Sequence, residues 1–267
     1  MGYITTNHMG GIGNVMFKLA ASISLSIDNK TDYIFSNEFI RPLDMEVVTN
    51  GFPDYRIYYD NILRNINFID RLPNEYLIYR EPVFNYLPIS YTSGTNLLLE
   101  GYFQSEKYFL NNKEKIISFY QPNEDIINKI FNIIPEIKNC VSVHVRRGDY
   151  VVKSDYHNLL TVDYYKKAYE ILGSEKTYLI FSDNLDEVKS MFDFISNKKF
   201  ITFGENFLDL YAMSLCKHNI IANSTFSWWS AYLNKNNYKK VIAPKQWFGP
   251  KLPHNTNDLI PENWIKI

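Results

Sequence analysis

The chain is short of several things that would mark other kinds of protein. It has only two cysteines, Cys140 and Cys216, far apart and each inside an apolar run. That excludes a disulfide framework and any zinc-ligand spacing, and reads as two free buried thiols in a reducing compartment. The formal net charge is −1, so no global basic field recruits nucleic acid, although a local basic site could still hold phosphate. No run approaches the roughly 20 apolar residues that span a bilayer. The opening stretch MGYITTNHMGG lacks the basic and then apolar regions of a signal peptide. The expected compartment is therefore the cytoplasm. There is no Asp-x-Asp and no His-x-x-x-His, and His8, His144, His157, His218 and His254 are scattered, so no metal ligands are expected. No internal repeat or low-complexity tract is found.

What is present is a core. Of 267 residues, 46% are hydrophobic and 16% aromatic, enough for one large domain or two small ones. Tyr3 to Asn7 reads as a strand, Gly10 to Asn14 as a glycine loop, and Asn14 to Ile27 as a helix, because Val15, Met16, Leu19, Ala20, Ile23 and Ile27 recur at helical spacing. Tyr33 to Phe35 reads as a second strand. The stretch from Phe39 to Ser93, with Pro42, Pro53, Pro73, Pro82 and Pro88, is expected to hold loops and short helices. Asn96 to Ser105 reads as a strand, and Glu106 to Tyr120 and Asp125 to Ile134 as helices. From Cys140 onward strands and helices alternate through Ala243, which implies a parallel sheet covered on both faces. The domains expected are an N-terminal lobe at 1–115 and a C-terminal lobe at 116–267.

Ligands of such sheets bind at the carboxyl ends of the strands. That rim should gather Arg146 to Asp149, Ser182 to Asn184, Asn223 to Ser227 and Pro244 to Trp247. In VSVHVRRGDY, Val141, Val143 and Val145 alternate with Ser142, His144 and Arg146 as on a half-buried strand. An arginine at the end of a parallel strand suits phosphate, because its planar fork makes bidentate charged bonds and stays charged. Arg146 and Arg147 should diverge, one toward a ligand and the other toward a neighbour. Gly148 allows a tight turn, and Asp149 either orients an arginine or serves as a base. Asp183 either accepts from a guanine or caps the next helix. Ser224, Thr225 and Ser227 open a helix whose hydroxyls and free amides suit a diphosphate, while Trp228 and Trp229 read as core. The glycine loop, with Gly11, Gly13 and Asn14, lets backbone amides approach a phosphate or sugar, or merely packs the helix on the sheet.

Taken in order, GGIGNVMFKLA, GYFQSEKYF, VSVHVRRGDYV, YLIFSDN, DLYAMSLCKHNIIANSTFSWWSAYLN and VIAPKQWF resemble the bacterial α-1,2-fucosyltransferases of glycosyltransferase family 11, over nearly the whole chain. The resemblance implies an α/β fold of GT-B type, with two facing Rossmann-like lobes, the acceptor on the N-terminal side and the GDP-sugar on the C-terminal side. It implies GDP-L-fucose as donor substrate, inversion at the sugar, and no cofactor or metal. By motif match, His144 and Arg146, with Arg147 beside them, contact the nucleotide, the arginine reaching the β-phosphate. Asp183 matches a guanine-reading position, and Ser224, Thr225 and Ser227 a phosphate-side loop. The chain departs from the family where Asn-Gln-Met-Phe becomes Asn14-Val15-Met16-Phe17 and where Trp-Trp-Gly becomes Trp228-Trp229-Ser230.

The expected chemistry is a single displacement in which an acceptor hydroxyl, the 2-hydroxyl of a galactoside by the resemblance, attacks C1 of fucose as GDP leaves. Arg146 would balance the charge growing on the β-phosphate, and Asp149, Asp155 and His157 are the candidate bases. The expected partners are a nucleotide-sugar donor and a glycan acceptor, without nucleic acid. Peripheral contact with the inner membrane and the oligomeric state stay open. Two alternatives stay open as well: another GDP-deoxysugar as donor, or a non-catalytic protein that binds sugar nucleotides or glycans.

Overall fold

Why Gly11 starts a helix is visible in its backbone: it lies extended, and its carbonyl accepts from the amides of Asn14 (2.9 Å) and Val15 (3.2 Å). Helix α1 (Ile12–Asp28) then buries Val15, Met16, Leu19, Ala20 and Ile23 and packs on strand β1 (Tyr3–Thr6). This computed structural model describes residues 2–39 and 55–267. The chain divides into two units. The first runs to Gln121 and also takes in His254–Pro261; the second comprises Pro122–Pro253 and Glu262–Ile267.

In the first unit, β1, β2 (Asp32–Tyr33), β5 (Leu77–Arg80) and β6 (Leu97–Glu100) form a parallel sheet in the order β2-β1-β6-β5. The single strand expected at Tyr33 to Phe35 is divided. Ile34 donates its amide to Ile4 (3.1 Å), and beyond it β3 (Phe35–Ser36) pairs instead with β4 (Phe68–Ile69). Strand β5 was not expected. It is an exposed edge, with Leu77 and Ile78 in solvent, so it lacks the apolar alternation of a covered strand. Pro42, Pro53 and the rest of 40–54 lie outside the described residues. The helix expected from Glu106 to Tyr120 is broken into two 3₁₀ turns followed by α2 (Lys113–Phe119), with the interruption at Phe109 (φ −139°). Tyr120, fully buried, donates to the carbonyl of Met16 (3.0 Å). The first unit therefore reaches past the expected 115/116 boundary to 121/122, and residues 254–261 return to it. Asp258 makes that return specific by pairing with Lys107 (2.5 Å) and accepting from the amide of Tyr86 (3.1 Å).

The second unit opens with α3 (Glu124–Ile133), capped by the Asn123 side chain, which accepts from Ile126 (2.9 Å). Strands β7 (Val141–Val145), β8 (Tyr178–Ser182), β9 (Lys198–Ile201), β10 (His218–Ile220), β11 (Val241–Ala243) and β12 (Ile265–Lys266) form one parallel sheet in the order β12-β11-β10-β7-β8-β9. Helices α4 (Gly148–Val152), α5 (Val162–Leu172), α6 (Leu185–Val188), α7 (Asn206–Leu215) and α8 (Thr225–Leu233) connect them. Strand β7 is buried at all five positions, not half-buried. It is interior to the sheet, and its polar face is covered too: Ser142 accepts from Asn219 (2.8 Å), which in turn accepts from Asn234 (2.8 Å). Trp228 and Trp229 are both fully buried, as core.

Candidate active site

The rim of the second unit is built where β7 stops. Arg147 leaves the strand (φ −123°, ψ −106°) and Gly148 follows with φ +37°. A Cβ on Gly148 would stand 2.7 Å from Oδ2 of Asp183, so this glycine supplies both the turn and the room for the carboxylate. Asp183 uses that room twice. Its Oδ1 accepts the Arg147 amide (2.8 Å) and its Oδ2 pairs with Nη1 of Arg146 (2.8 Å). Asp149 holds the other branch of the fork, Nη2 to Oδ1 at 2.5 Å. The Arg146 guanidinium also lies over the Tyr150 ring, 5.3 Å from its centre. The two arginines do separate: Arg147 turns its guanidinium to the sulfur of Met191.

Tyr150 carries the cluster across the sheet. Its ring stacks on His157 (4.1 Å, 8° between planes), and its hydroxyl donates to the carbonyl of Asn223 (3.0 Å). The Asn223 amide then donates to the carbonyls of Asn158 and Trp247, both at 2.7 Å. The four segments expected on one rim are thus joined by hydrogen bonds. Tyr150 was not singled out from the sequence; its signal was its place one residue after an Arg-Gly-Asp turn.

His144 is 6% exposed, its ring 5.7 Å from that of Phe226 and its carbonyl bonded by the Tyr165 hydroxyl. Burial, helped by the charge of Arg146, lowers its pKa to about 3, so the imidazole stays neutral. Burial also lowers the pKa of His157, against the nearby charge of Asp149.

Three expectations are corrected. Asp183 does not cap the helix after β8; Asn184 does, its side chain accepting from Glu187 (3.4 Å), because Asp183 is committed to the two arginines. Ser227 is fully buried with its hydroxyl donating back to the Ser224 carbonyl (3.2 Å), so it packs the start of α8 and has no exposed hydroxyl for a phosphate. Ser224 and Thr225 are half-exposed there, and Ser224 makes no capping bond with its side chain. Asp155 is turned to Lys251 (2.7 Å), whereas Asp149 and His157 flank the Arg146–Tyr150 pair.

In the first unit the carboxyl ends of β1 and β6 make a second polar rim. Gly10 has φ +98°, and a Cβ there would meet the Asn14 amide at 2.4 Å. Asn14 Oδ1 accepts from Gln104 (3.0 Å). Gly11 has open space where a Cβ would be, and Gly13 is buried in the first turn of α1. Beneath the loop, Lys18 is 2% exposed and donates to Asn7 (2.7 Å). Burial lowers its pKa to about 8, opposed by Glu81 and Glu100. A lone lysine on the buried face of an apolar helix was the sequence signal for this prop.

Among the described residues no group of three or more His, Cys, Asp or Glu side chains could hold a metal ion, and no helix is long and apolar enough to cross a membrane.

This α/β fold, with a parallel sheet in each unit, is of the GT-B type. The chain is similar to a mutant of Arabidopsis thaliana FUT1 in complex with GDP, with TM-score 0.52, 13% identity, and 91% of this chain and 70% of that one covered. It is similar to POFUT1 in complex with GDP, with TM-score 0.51, 12% identity, and 91% and 98% covered. In sequence it is 30% identical to the O-antigen biosynthesis glycosyltransferase WbnK of Escherichia coli, covering 97% of this chain and 98% of that protein. It is also 30% identical to an α-1,2-colitosyltransferase of Escherichia coli, covering 100% and 99%. A galactoside 2-α-L-fucosyltransferase of Caenorhabditis elegans is 29% identical over 64% of this chain and 53% of its own length. The protein is a glycosyltransferase. It belongs to glycosyl transferase family 11, whose description matches residues 1–267.

Proposed function

We propose that the protein transfers L-fucose from GDP-L-fucose to a hydroxyl of a glycan, the 2-hydroxyl of a galactoside, with inversion and without a metal or other cofactor. The observation that carries this reading is Arg146, held by Asp149 and Asp183 at the end of β7. A β-phosphate takes the branch that Asp149 holds, because Asp149 is 47% exposed and an exposed carboxylate yields its partner at little cost. Arg146 then faces the negative charge that grows on the leaving diphosphate, already oriented by Asp183. Asp149, released from its ion pair, is the base favoured by this arrangement, and His157 is the second choice. Ser224 and Thr225 at the start of α8 complete the donor contacts on this unit, with His144 as a neutral neighbour of the nucleotide. The guanine-reading role for Asp183 gives way to an orienting one.

The donor has one specific rival. Colitose is L-fucose without its 3-hydroxyl, and a relative that matches the whole chain is named a colitosyltransferase. GDP-colitose is therefore the second reading. The name of the O-antigen relative supports a repeat unit of a cell-surface polysaccharide as acceptor. We place the reaction in the cytoplasm, where Cys140 and Cys216 stay reduced.

The test is GDP release from GDP-fucose and from GDP-colitose, in EDTA, with and without a panel of β-galactosides. Acceptor-stimulated release from GDP-fucose supports the first reading, and release from GDP-colitose alone supports the second. No release from either, or release only when a divalent cation is restored, contradicts the mechanism.

A further inference from the structure

At the end of β6, in the first unit, several constraints converge on one exposed side chain. Gly101 has no room for a side chain: a Cβ would stand 2.4 Å from that of Glu81. Phe103 is buried with φ +50°, a left-handed conformation that a bulky residue adopts only when its surroundings force it. The Glu81 carboxylate accepts from the amides of both Tyr102 (2.6 Å) and Phe103 (3.1 Å), and burial raises its pKa. Gln104 ties the same segment to Asn14 of the glycine loop (3.0 Å). Between these anchors stands Tyr102, 42% exposed, with the buried ammonium of Lys18 over its ring at 5.2 Å from the centre.

Strain held in place by this many contacts is a reason to ask what it displays. Here it displays a single aromatic ring at the carboxyl end of an interior parallel strand, where such sheets bind ligands. The backbone beneath the ring is anchored by Glu81, while the residue itself stays 42% exposed, so the ring is presented and not packed away. Its surroundings choose the ligand. The nearby cation is buried, which leaves a neutral aromatic surface, unsuited to a diphosphate and suited to the apolar C–H face of a pyranose.

We infer that Tyr102 is the stacking platform of an acceptor-sugar subsite, on which a neutral pyranose of the glycan lies before transfer. This rests on the glycosyl-transfer reading above.

The experiment compares Tyr102→Ala, Tyr102→Phe and Tyr102→Trp with the wild-type protein, using GDP-fucose and the β-galactoside that best stimulates GDP release. The expected result for Tyr102→Ala is an acceptor KM raised about tenfold, the effect of losing one stacking face. Its KM for GDP-fucose in acceptor-free hydrolysis should stay within about twofold of wild type, the scale of an uninvolved surface change. Tyr102→Phe and Tyr102→Trp keep a ring and should keep the acceptor KM. An unchanged acceptor KM in Tyr102→Ala overturns the subsite. A raised KM for GDP-fucose without acceptor assigns the ring to the donor and also overturns it. A melting temperature well below wild type in all three variants gives the segment a structural role instead. If the wild-type protein shows no acceptor-stimulated release, the transfer reading itself fails.

Discussion

Arg146 and Asp183 are held together from two directions: their side chains pair at 2.8 Å, and the same carboxylate accepts the amide of Arg147, also at 2.8 Å. The aspartate therefore fixes the backbone turn and the guanidinium at once. Asp183→Asn keeps an oxygen for the amide but loses the charge opposite Arg146. It should fold with nearly the wild-type melting temperature and lose about tenfold in kcat, whereas Asp183→Ala should lose both activity and thermal stability. Equal melting temperatures for the two variants would contradict the double role.

Removing the guanidinium tests the chemistry more directly. Arg146→Ala should lower kcat by about 10²–10³, the usual loss when one preorganised charge-stabilising donor is removed. Arg146→Lys keeps the charge but cannot hold Asp183 and Asp149 on two branches, so it should recover only a small part of that loss. Turnover of GDP-fucose at the wild-type rate by Arg146→Ala would remove Arg146 from the mechanism.

The candidate bases separate in the same assay. Asp155 faces Lys251 in an exposed pair, so Asp155→Asn should stay within about twofold of wild type. Asp149→Asn should lower kcat by about 10² and remove any acid limb from the pH–rate profile. If instead His157→Gln removes that limb and Asp149→Asn leaves it, the base is His157.

Stability should depend on pH through histidines whose pKa burial lowers, His157 among them. The pKa falls to about 4 in His8, about 3 in His144 and about 4 in His218, from an ordinary 6.5. Below that ordinary value the unfolded chain takes up protons that the folded one refuses, so stability present above pH 6.5 is lost as the pH falls toward 3–4. Asp209, raised to about 6, and Glu81, also raised, run the other way but do not match the histidines together. The melting temperature should fall between pH 7 and pH 4. His218→Asn keeps an acceptor for the Lys240 amide, which His218 accepts at 3.0 Å, and should make that fall shallower. An unchanged slope would show that His218 does not contribute.

The rim around Arg146 was legible in the sequence because parallel sheets put their functional residues just past the strands, and each of those strands ends in a run of polar or special residues. Most of the second unit was legible for the same reason, down to α8 at Thr225–Leu233, but the short α4 and the two-residue β12 were not placed. Asp183 was half legible. A carboxylate before a helix reads equally as a cap, and only the packing showed Asn184 in that position. Strand β5 was hidden because it is exposed at its apolar positions and so carries no pattern of burial. Ser227 misled because a hydroxyl near a helix start looks the same in sequence whether it faces a ligand or bonds back to its own helix. The role proposed for Tyr102 could not be read from local composition, since neither the buried Glu81 nor the left-handed Phe103 leaves a mark there.

Residues 254–261 belong to the first unit, and residues 262–267 supply β12 at one edge of the second unit's sheet. A ribosome must therefore synthesise nearly the whole of this sequence before either unit has all its parts. Lys107 emerges long before Asp258, its ion-pair partner, and β11 before the strand that covers its edge. Neither unit can finish folding as a separate vectorial step. Both are sealed by the same short stretch of chain, late and nearly together.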